Sequence, residues 1–344
     1  MDGVDVPQVT AWLLDRVPGV EAPFSFERVA GGRSNLTFVV TDAGGRRLVL
    51  RRPPLSHVLA SAHDTGREHR IIAALRSTPV PVPEAIGLCD DASVNGAPFS
   101  VMSFVEGHVL RTADEAESIL DEGSRRRAGE DLVDVLAALH ALDVDEIGLG
   151  DLARREGYIE RQLKRWHGQF LRSQEQAVQA GAHRPVPIVE EVHELLLARV
   201  PAQLGVAVAH GDYRLDNTIV GGDGRVRAVL DWELCTLGDP LADVGTLLAY
   251  WADGAALPGA LRPSTSLPGF PTRTELAEQY AARSGRDVSD LGYYVAFAYW
   301  RLACILEGVY VRYAAGAMGA DRSVASAIGA LVATRAEAAL AALG

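Results

Sequence analysis

The stretch HGDYRLDNTIV, residues 210–220, sets a histidine, two aspartates, an arginine and an asparagine directly after the apolar run VAVA. Transfer of a phosphoryl group to a hydroxyl requires a carboxylate near that hydroxyl and positive charge beside the phosphate. Asp212 is suited to accept or orient the hydroxyl proton, and Arg214 could offset the charge of the phosphate. These two side chains are therefore candidates for catalysis.

Oxygen ligands for a metal ion follow in the same region. Asn217 lies five residues after Asp212, and Asp231 ends the apolar run VRAVL. Magnesium prefers carboxylate and carbonyl oxygens as ligands. Asn217 is therefore predicted to supply a neutral magnesium ligand and Asp231 a charged one, whereas His210 is predicted to bond to backbone and hold the loop.

A single aspartate or asparagine in such a loop is more often structural, because its side chain bonds readily to nearby backbone. The whole set is more specific. An Asp, a cation at +2, an Asn at +5 and a second Asp after a strand pair have the spacing of the kinase pattern H-x-D-x-x-x-x-N followed by D. A protein kinase is the less favoured interpretation, because tryptophan follows Asp231 and no activation segment is recognisable.

The sequence changes in character near residue 105. Before it, short β-rich runs (TFVV, RRLVL, PFSVMSF) alternate with glycine turns and one helical segment, TGREHRIIAALRS. After it, helical periodicity dominates, as in DLVDVLAALH and VEEVHELLLARV. Residues 206–231 interrupt the helices with three short strands, predicted to form one small sheet. These patterns predict an α+β, bilobal chain, with an antiparallel-sheet lobe over 1–105 and a mostly helical lobe over 106–344.

One long segment has no clear periodicity. PGALRPSTSLPGFPT, residues 258–272, is rich in Pro, Gly and Ser. Its length is compatible with a lid or substrate loop, and equally with a mobile linker.

Composition argues against several classes of protein. The 344 residues carry 33 Lys and Arg against 45 Asp and Glu, a net charge of -12, which argues against a nucleic-acid partner. Cys89, Cys235 and Cys304 are odd in number and far apart, so neither a disulfide framework nor a zinc site is predicted from them. The N-terminus has no signal pattern, and no apolar run approaches the roughly 18 residues of a membrane span. We therefore expect a cytoplasmic protein without a membrane partner, of unknown oligomeric state.

HGDYRLDN together with VLDWELCTLGDPLADVG resembles the aminoglycoside phosphotransferase and choline kinase superfamily. The pieces VLRRPP, SAHDTGREHRIIAAL, GDPLADVG and RLACILEGVYVR are more similar to the phosphotransferase domain associated with the acyl-CoA dehydrogenase family. The resemblance implies a protein-kinase-like fold. It also implies magnesium-dependent transfer of the γ-phosphate of ATP, with GTP not excluded, to a hydroxyl of a small molecule.

The resemblance further implies an N-terminal lobe that covers the nucleotide. In AGGRSNLTF, Ser34 and Asn35 would form the turn nearest the phosphates. The position usually held by a phosphate-binding lysine is an arginine, and strand alternation favours Arg51 over Arg52 for the cleft side. Glu68 would pair with that arginine.

Glu68 also has a competing role, because Thr65-Gly-Arg-Glu68 has the form of a capping box. At the edge between the lobes, the Ser103 carbonyl and the Val105 amide would contact the purine. Asp239 and Pro240 have the form of an N-cap and N1 pair that begins a helix from Leu241 to Trp251.

The resemblance implies that Asp243, in the first turn of that helix, braces the loop that carries Asp212. The acceptor is expected between Asp212 and the segments 150–180 and 255–315. The alternative function is a catalytically weak nucleotide-binding or regulatory protein, which the missing lysine and the irregular glycine turn would favour.

Overall fold

The computed structural model of the chain describes residues 3–29, 35–54, 64–252, 262–316 and 322–344. Its first part is an antiparallel sheet with strand order β1-β2-β3-β5-β4. The strands are β1 (Ser25–Arg28), β2 (Leu36–Thr41), β3 (Arg47–Arg52), β4 (Ala85–Cys89) and β5 (Phe99–Ser103). The register places Arg51 opposite Thr37 on one side and Ser100 on the other.

Within the described residues, three helices accompany this sheet, where the sequence predicted one. They are α1 (Val6–Arg16), α2 (Thr65–Leu75) and the short α3 (Ala92–Asn95). The predicted helix is α2. The missed α1 begins at an Asp5 N-cap and buries only Val9 and Leu13, so its apolar stripe is narrow and its periodicity weak.

The second part is mainly helical, as predicted. Its helices are α4 (Ala113–Ile119), α5 (Glu122–His140), α6 (Tyr158–Gln179), α7 (Pro187–Ala198), α8 (Leu241–Tyr250), α9 (Arg273–Ser284), α10 (Leu291–Ala314) and α11 (Arg322–Leu343). Together with the sheet they give the α+β, kinase-like architecture that the sequence predicted.

The prediction of one small sheet over residues 206–231 is wrong. The strands here are β6 (Ala207–Ala209), β7 (Thr218–Val220), β8 (Val226–Val229) and β9 (Thr236–Gly238). β7 pairs with β8 as the predicted hairpin, but β6 pairs with β9, which was not predicted. The result is two separate two-stranded ribbons. β9 was missed because Thr236–Gly238 is too short for its alternation to be recognised in the sequence.

Two buried apolar clusters support these parts. One lies between α1 and the sheet and includes Phe38, Leu50 and Phe99. The larger one fills the helical part and also takes in Ile72 of α2 and Met102 of β5. The helix that follows β3 is therefore packed against the helical core as well as joined to the sheet.

The expectation that no apolar segment is long enough to span a membrane is wrong by length and composition. Leu291–Ala314 and Val324–Leu343 both reach that length with sufficient mean hydropathy. Each segment contains few charged residues, so its mean hydropathy stays high although polar residues interrupt the apolar ones. α10 is also the central packed helix, with Arg301 and Glu307 among its buried residues, and this packing accounts for its apolar composition.

The segment 258–272 is not simply a long loop. Residues 258–261 lie outside the described residues. Within the rest, Ser264–Ser266 form one turn of 3-10 helix, and Ser264 donates to the Leu110 carbonyl at 3.1 Å. Thr265 accepts from the Ala252 amide at 3.0 Å. These bonds attach the described portion to the helical body.

α8 carries Asp243, and it packs against α10 at Gly245. A Cβ placed on Gly245 would lie 2.4 Å from the Tyr294 carbonyl oxygen. Backbone cannot yield as a side-chain tip can, so the two helices approach this closely only because residue 245 has no side chain.

Gly245→Ala should therefore lower the free energy of unfolding by about 1–3 kcal/mol, the usual cost of overpacking a core. Gly168→Ala, on α6, is the matched control, since its Cβ would meet only the tip of Arg172 at 3.4 Å. The control should gain about 0.5–1 kcal/mol from the better helix propensity of alanine. Urea unfolding measures both, and equal effects at the two positions would contradict the close helix contact.

Candidate active site

The loop His210–Asn217 connects β6 to β7 and gathers the predicted polar side chains. The Asn217 amide donates to the Asp212 carboxylate at 2.9 Å and to the Asp212 carbonyl at 2.8 Å. Arg214 donates to the same carboxylate at 3.3 Å. The Asp212 side chain remains 22% exposed, so it is held in place while still open to a ligand.

His210 is fully buried and holds the loop, as predicted. Its Nε2 lies 2.8 Å from the Leu230 carbonyl, and its Nδ1 accepts from the Asp212 amide at 3.2 Å. This arrangement requires the Nε2-protonated tautomer. The imidazole thus ties the loop to the end of β8, next to Asp231.

Asp243, in the first turn of α8, holds the beginning of the loop through hydrogen bonds to its backbone. Its carboxylate accepts the His210 amide at 2.6 Å and the Gly211 amide at 2.8 Å, and it lies 3.4 Å from His140 Nε2. Burial alone would raise the pKa of Asp243. The histidines and the backbone amides outweigh that effect and hold the pKa of this carboxyl below its usual value.

The helix after Asp239 begins at Leu241, as predicted, but it ends one residue earlier than predicted, and its cap lies one residue later than the predicted Asp239. α8 is Leu241–Tyr250, so Pro240 occupies the cap position and Trp251 follows the helix. Asp239 still accepts the Leu241 amide at 3.0 Å, and it also accepts from the Tyr294 hydroxyl at 2.8 Å. Its carboxylate therefore links the start of α8 to α10.

Arg51 of β3 faces the cleft and meets carboxylates from both parts of the chain. Its guanidinium lies 2.9 Å from Glu68 of α2, 2.5 Å from Asp231 and 3.8 Å from Glu233. Burial lowers the pKa of Arg51, but these three carboxylates raise it further than burial lowers it. Arg51 therefore stays charged.

Two alternatives left open by the sequence are not found: Arg52 does not face the cleft, and Glu68 does not form a capping box. Arg52 points to the other side of the sheet, where it donates to the Gly3 and Asn95 carbonyls at 2.7 and 2.8 Å. The N-cap of α2 is Asp64, which accepts the Arg67 amide, so the alternative Thr65 capping box is not formed in this described helix. The cap lies one residue earlier than the sequence pattern suggested, and Glu68 turns inward to Arg51.

Asp231 has an unusual backbone. Among the described residues it is the one non-glycine with a positive φ, 65°, in the left-handed region. Such a conformation costs about 1–3 kcal/mol for a non-glycine and tends to persist at functional sites. It turns the carboxylate toward Arg51 at the point where β8 ends.

The remaining nucleotide candidates are partly described. Ser34 lies outside the described residues. Asn35 is 5% exposed and donates to Glu233 at 3.5 Å, and its buried Oδ1 has no hydrogen-bond partner within the described chain. Ser103 ends β5, where its hydroxyl accepts the Glu84 amide at 2.8 Å, and Val105 follows in the connection to the helical part.

Glu233 is the site residue that sequence reasoning missed. It contacts both Asn35 and Arg51, and so it links the glycine turn to the segment after Asp231. The signal was present in VLDWE, where a second acid stands two residues after the first. His140 was also missed, because the residue lies over 100 positions from Asp243 in the chain.

A cavity of about 270 Å³ lies beside the loop. Its lining includes Arg214 and Asp216 from the loop region, aromatic side chains and several arginines. The lining residues are Leu110, Arg111, Arg214, Leu215, Asp216, Leu247, Ala249, Tyr250, Trp251, Ala252, Pro263, Ser264, Thr265, Arg273, Tyr299 and Arg335. None comes from 150–180, where part of the acceptor site was expected. A larger depression, of about 460 Å³, contains no residue of the His210–Asn217 loop.

A two-part fold with this loop defines a kinase-like phosphotransferase. Residues 25–287 match the model of the phosphotransferase enzyme family. The chain belongs to that family.

Its relatives include a much longer protein and one of similar length. Mouse acyl-CoA dehydrogenase family member 10 is 35% identical over 290 residues, which are 83% of this chain and 26% of that protein. The chain thus spans about a quarter of the length of this curated relative. A protein from Ralstonia eutropha JMP134, named as a candidate aminoglycoside phosphotransferase, has a TM-score of 0.82 at 32% identity, covering 99% of this chain and 98% of that one.

The fold is also shared with a more distant structure that contains a nucleotide. The GDP complex of aminoglycoside 2'-phosphotransferase-IIIa has a TM-score of 0.61 at 16% identity, covering 97% of this chain and 99% of that one. Likeness at this identity concerns the fold alone.

The Asp243 brace gives a pH-dependent prediction. Asp243→Asn should lower the free energy of unfolding by about 1.5–3 kcal/mol, the range for hydrogen bonds to a charged group. Because the folded pKa of Asp243 lies below its unfolded value of about 3.9, its contribution is complete above that value and is lost as pH falls through the folded one. The deficit should be constant from neutral pH to about pH 5 and shrink only in more acid solution.

Urea unfolding across this pH range measures the deficit. Asp134→Asn is the control, because Asp134 pairs with Arg283 at the surface, where ion pairs are worth about 0–1 kcal/mol. A deficit that already shrinks between about pH 7 and 6 would assign the stabilisation to a histidine instead.

Proposed function

We propose that the protein is a magnesium-dependent kinase that transfers the γ-phosphate of ATP to a hydroxyl of a small acidic molecule. The observation that carries the proposal is the Asp212 carboxylate, fixed by Asn217 and Arg214 on a braced loop beside a cavity. A held but open carboxylate is what phosphoryl transfer to a hydroxyl requires of the protein. The buried free cysteines agree with the cytoplasmic location that we also propose.

Each step of the proposed reaction has an assigned side chain. Asp212 accepts the proton of the acceptor hydroxyl as that oxygen forms its bond to the γ-phosphorus. The bond from the γ-phosphorus to the bridging oxygen breaks, and the nucleoside diphosphate leaves with that electron pair. Arg214 lies beside Asp212 and offsets negative charge on the transferred group.

The residues present fit a magnesium ion. Asn217 Nδ2 is committed to Asp212, so Oδ1 is the atom free to bind a cation. Asp231 uses Oδ1 for Arg51 and its side chain is 34% exposed. An amide oxygen and a carboxylate are the hard oxygen donors that magnesium takes. When bound, magnesium would neutralise charge on the nucleotide phosphates.

The nucleotide would be held between the sheet and the loop. Arg51, paired with Glu68, would contact the phosphates, and Ser34 and Asn35 would close over them. The Ser103 carbonyl and Val105 amide would contact the purine, and such backbone contacts do not distinguish ATP from GTP. The Oδ1 of buried Asn35 has no partner among the described residues, and this supports the placement, because a buried acceptor calls for a donor.

The charge of the cavity supports an acidic acceptor. Four arginines line it, and its one carboxylate, Asp216, already pairs with Arg214 at 2.7 Å. Neither Arg111 nor Arg335 forms an ion pair with a carboxylate in the part of the chain described. Arginine binds carboxylate and phosphate groups as a planar fork. The surplus positive charge favours a carboxylate or phosphate on the acceptor and disfavours a cationic amino sugar.

Thermal unfolding with ATP or GTP, with and without magnesium, tests the nucleotide site. A ligand at 100 times its Kd stabilises the folded state by about 2.7 kcal/mol. We expect a magnesium-dependent rise in Tm that Asp231→Ala abolishes and Asp223→Ala preserves. Asp223 is the matched control because it is an exposed aspartate in the turn of the same hairpin.

Turnover separates the kinase from the regulatory alternative. Asp212→Ala should lower kcat by about 10²–10⁴, the usual contribution of a general base, with nucleotide binding retained. Nucleotide binding without turnover on any hydroxylated compound would instead establish a nucleotide-binding regulatory protein. No shift with either nucleotide in folded protein would overturn both functions.

A panel of hydroxy acids, phosphorylated alcohols and amino sugars tests the acceptor class through release of nucleoside diphosphate. Turnover should be confined to the acidic compounds. Arg335→Gln should raise their KM by about tenfold, the equivalent of about 1.4 kcal/mol, and leave the KM for nucleotide unchanged. Arg172→Gln, an exposed arginine on α6, is the charge-matched control. Turnover on amino sugars alone would contradict the acidic acceptor but not the kinase.

A further inference from the structure

Three side chains that could bind a metal ion meet between α6 and α7, outside the active site. His167 belongs to α6, and Glu190 and His193 belong to α7. One potential ligand atom from each lies within 4.8 Å of the others. Glu190 and His193 are three positions apart on one helix, a spacing that places both on the same face.

The cluster is ordered by its own contacts. His167 Nε2 lies 2.7 Å from a Glu190 carboxylate oxygen. The His167 and His193 rings stack with centroids 3.8 Å apart and planes 17° apart. Trp300 of α10 covers the other face of His193 at 5.3 Å, so the inner histidine is held between two rings.

His193 supplies the observation that points to a ligand. It is 9% exposed, and its ring nitrogens make no hydrogen bond to any residue of the described ranges, so one of them is available to a ligand. Burial and the neighbouring His167 lower the pKa of His193. A neutral imidazole with an uncommitted nitrogen is the form in which histidine binds metals.

We propose that His167, Glu190 and His193 form a binding site for a zinc-type divalent cation that joins α6 to α7. Two imidazoles and one carboxylate are a donor set that zinc takes, at about 2.0–2.2 Å from each atom. Donors at that distance in tetrahedral geometry lie about 3.3–3.5 Å apart. The donor atoms now lie within 4.8 Å of one another, so binding would draw them together and turn the two stacked rings toward the ion. The exposed part of His167 and Glu190 leaves an entry path.

The site differs in chemistry from the proposed magnesium site. Asn217 and Asp231 offer oxygen atoms alone, which suit a hard cation. The α6–α7 cluster offers two nitrogens, and imidazole favours zinc and neighbouring transition metals over magnesium. Bound metal would cross-link two helices that pack against α10, so its effect should be on stability and not on the phosphoryl transfer step.

Zinc titration of the chelator-treated protein, in excess magnesium and against a chromophoric zinc chelator, tests the proposal. Wild type should bind one zinc ion that Asp231→Ala retains. His167→Ala and Glu190→Gln should weaken it about 100-fold or more, since even residues that only support a ligand are worth about 10–100-fold. His108→Ala is the control, an exposed histidine outside the cluster.

Thermal unfolding adds an independent readout. Zinc should raise the Tm of wild type and of His108→Ala, and should not raise the Tm of the two cluster variants. Both variants change partly exposed side chains, so their folding without metal is checked by the same unfolding curves. Equal zinc affinity in wild type, His167→Ala and Glu190→Gln would overturn the proposal, as would the absence of a stoichiometric zinc ion in wild type. The cluster would then be a packing contact between α6, α7 and α10.

Discussion

One guanidinium joins the two parts of the chain. Arg51 comes from the third strand of the sheet, and its carboxylate partners come from α2 and from the segment after β8. Glu68 is 2% exposed, so neither charge could remain buried without the other. Together with the packing of α2 and β5 against the helical core, this set of charges holds the sheet over the His210–Asn217 loop, where the proposed nucleotide contacts lie.

The loop itself is held by groups that take no part in the proposed chemistry. Asp243 and His210 use backbone amides and a carbonyl to fix the path of the chain, which leaves the Asp212 carboxylate to Asn217 and Arg214. The side chains that hold the backbone of the loop are therefore different from those that form the proposed site. Preorganisation of this kind is what electrostatic stabilisation of a transition state requires.

Local patterns in the sequence predicted much of the fold and singled out several residues that the structure places next to one another. Strong periodicity gave α2, α5 and α7, and kinase spacing led to the loop with Asp212 and Asn217. Weak or non-local signals account for the rest. β9 has three residues and pairs with a strand almost 30 positions earlier, which no local pattern can show.

Contacts between side chains that are distant in the sequence likewise could not be predicted from local patterns. His140 reaches Asp243 from another helix, and Glu233 reaches Asn35 only when the sheet and the helical part are folded together. The choice between two roles for Glu68 was also undecidable locally. An acid at that position suits a capping box and an ion pair equally, and it is the burial of Arg51 that selects the second.

Use of arginine at position 51 has a consequence for the range of conditions in which the two parts stay joined. A lysine at this position has a neutral form, and in sufficiently alkaline solution it would lose its proton and with it the attraction to Glu68 and Asp231. Guanidinium has no neutral form that a protein can reach. The Arg51 guanidinium therefore keeps its charge in alkaline solution, where its carboxylate partners are also ionised. The ion pairs between the sheet and the segment after β8 should persist there, and any loss of stability in alkaline solution should come from other groups.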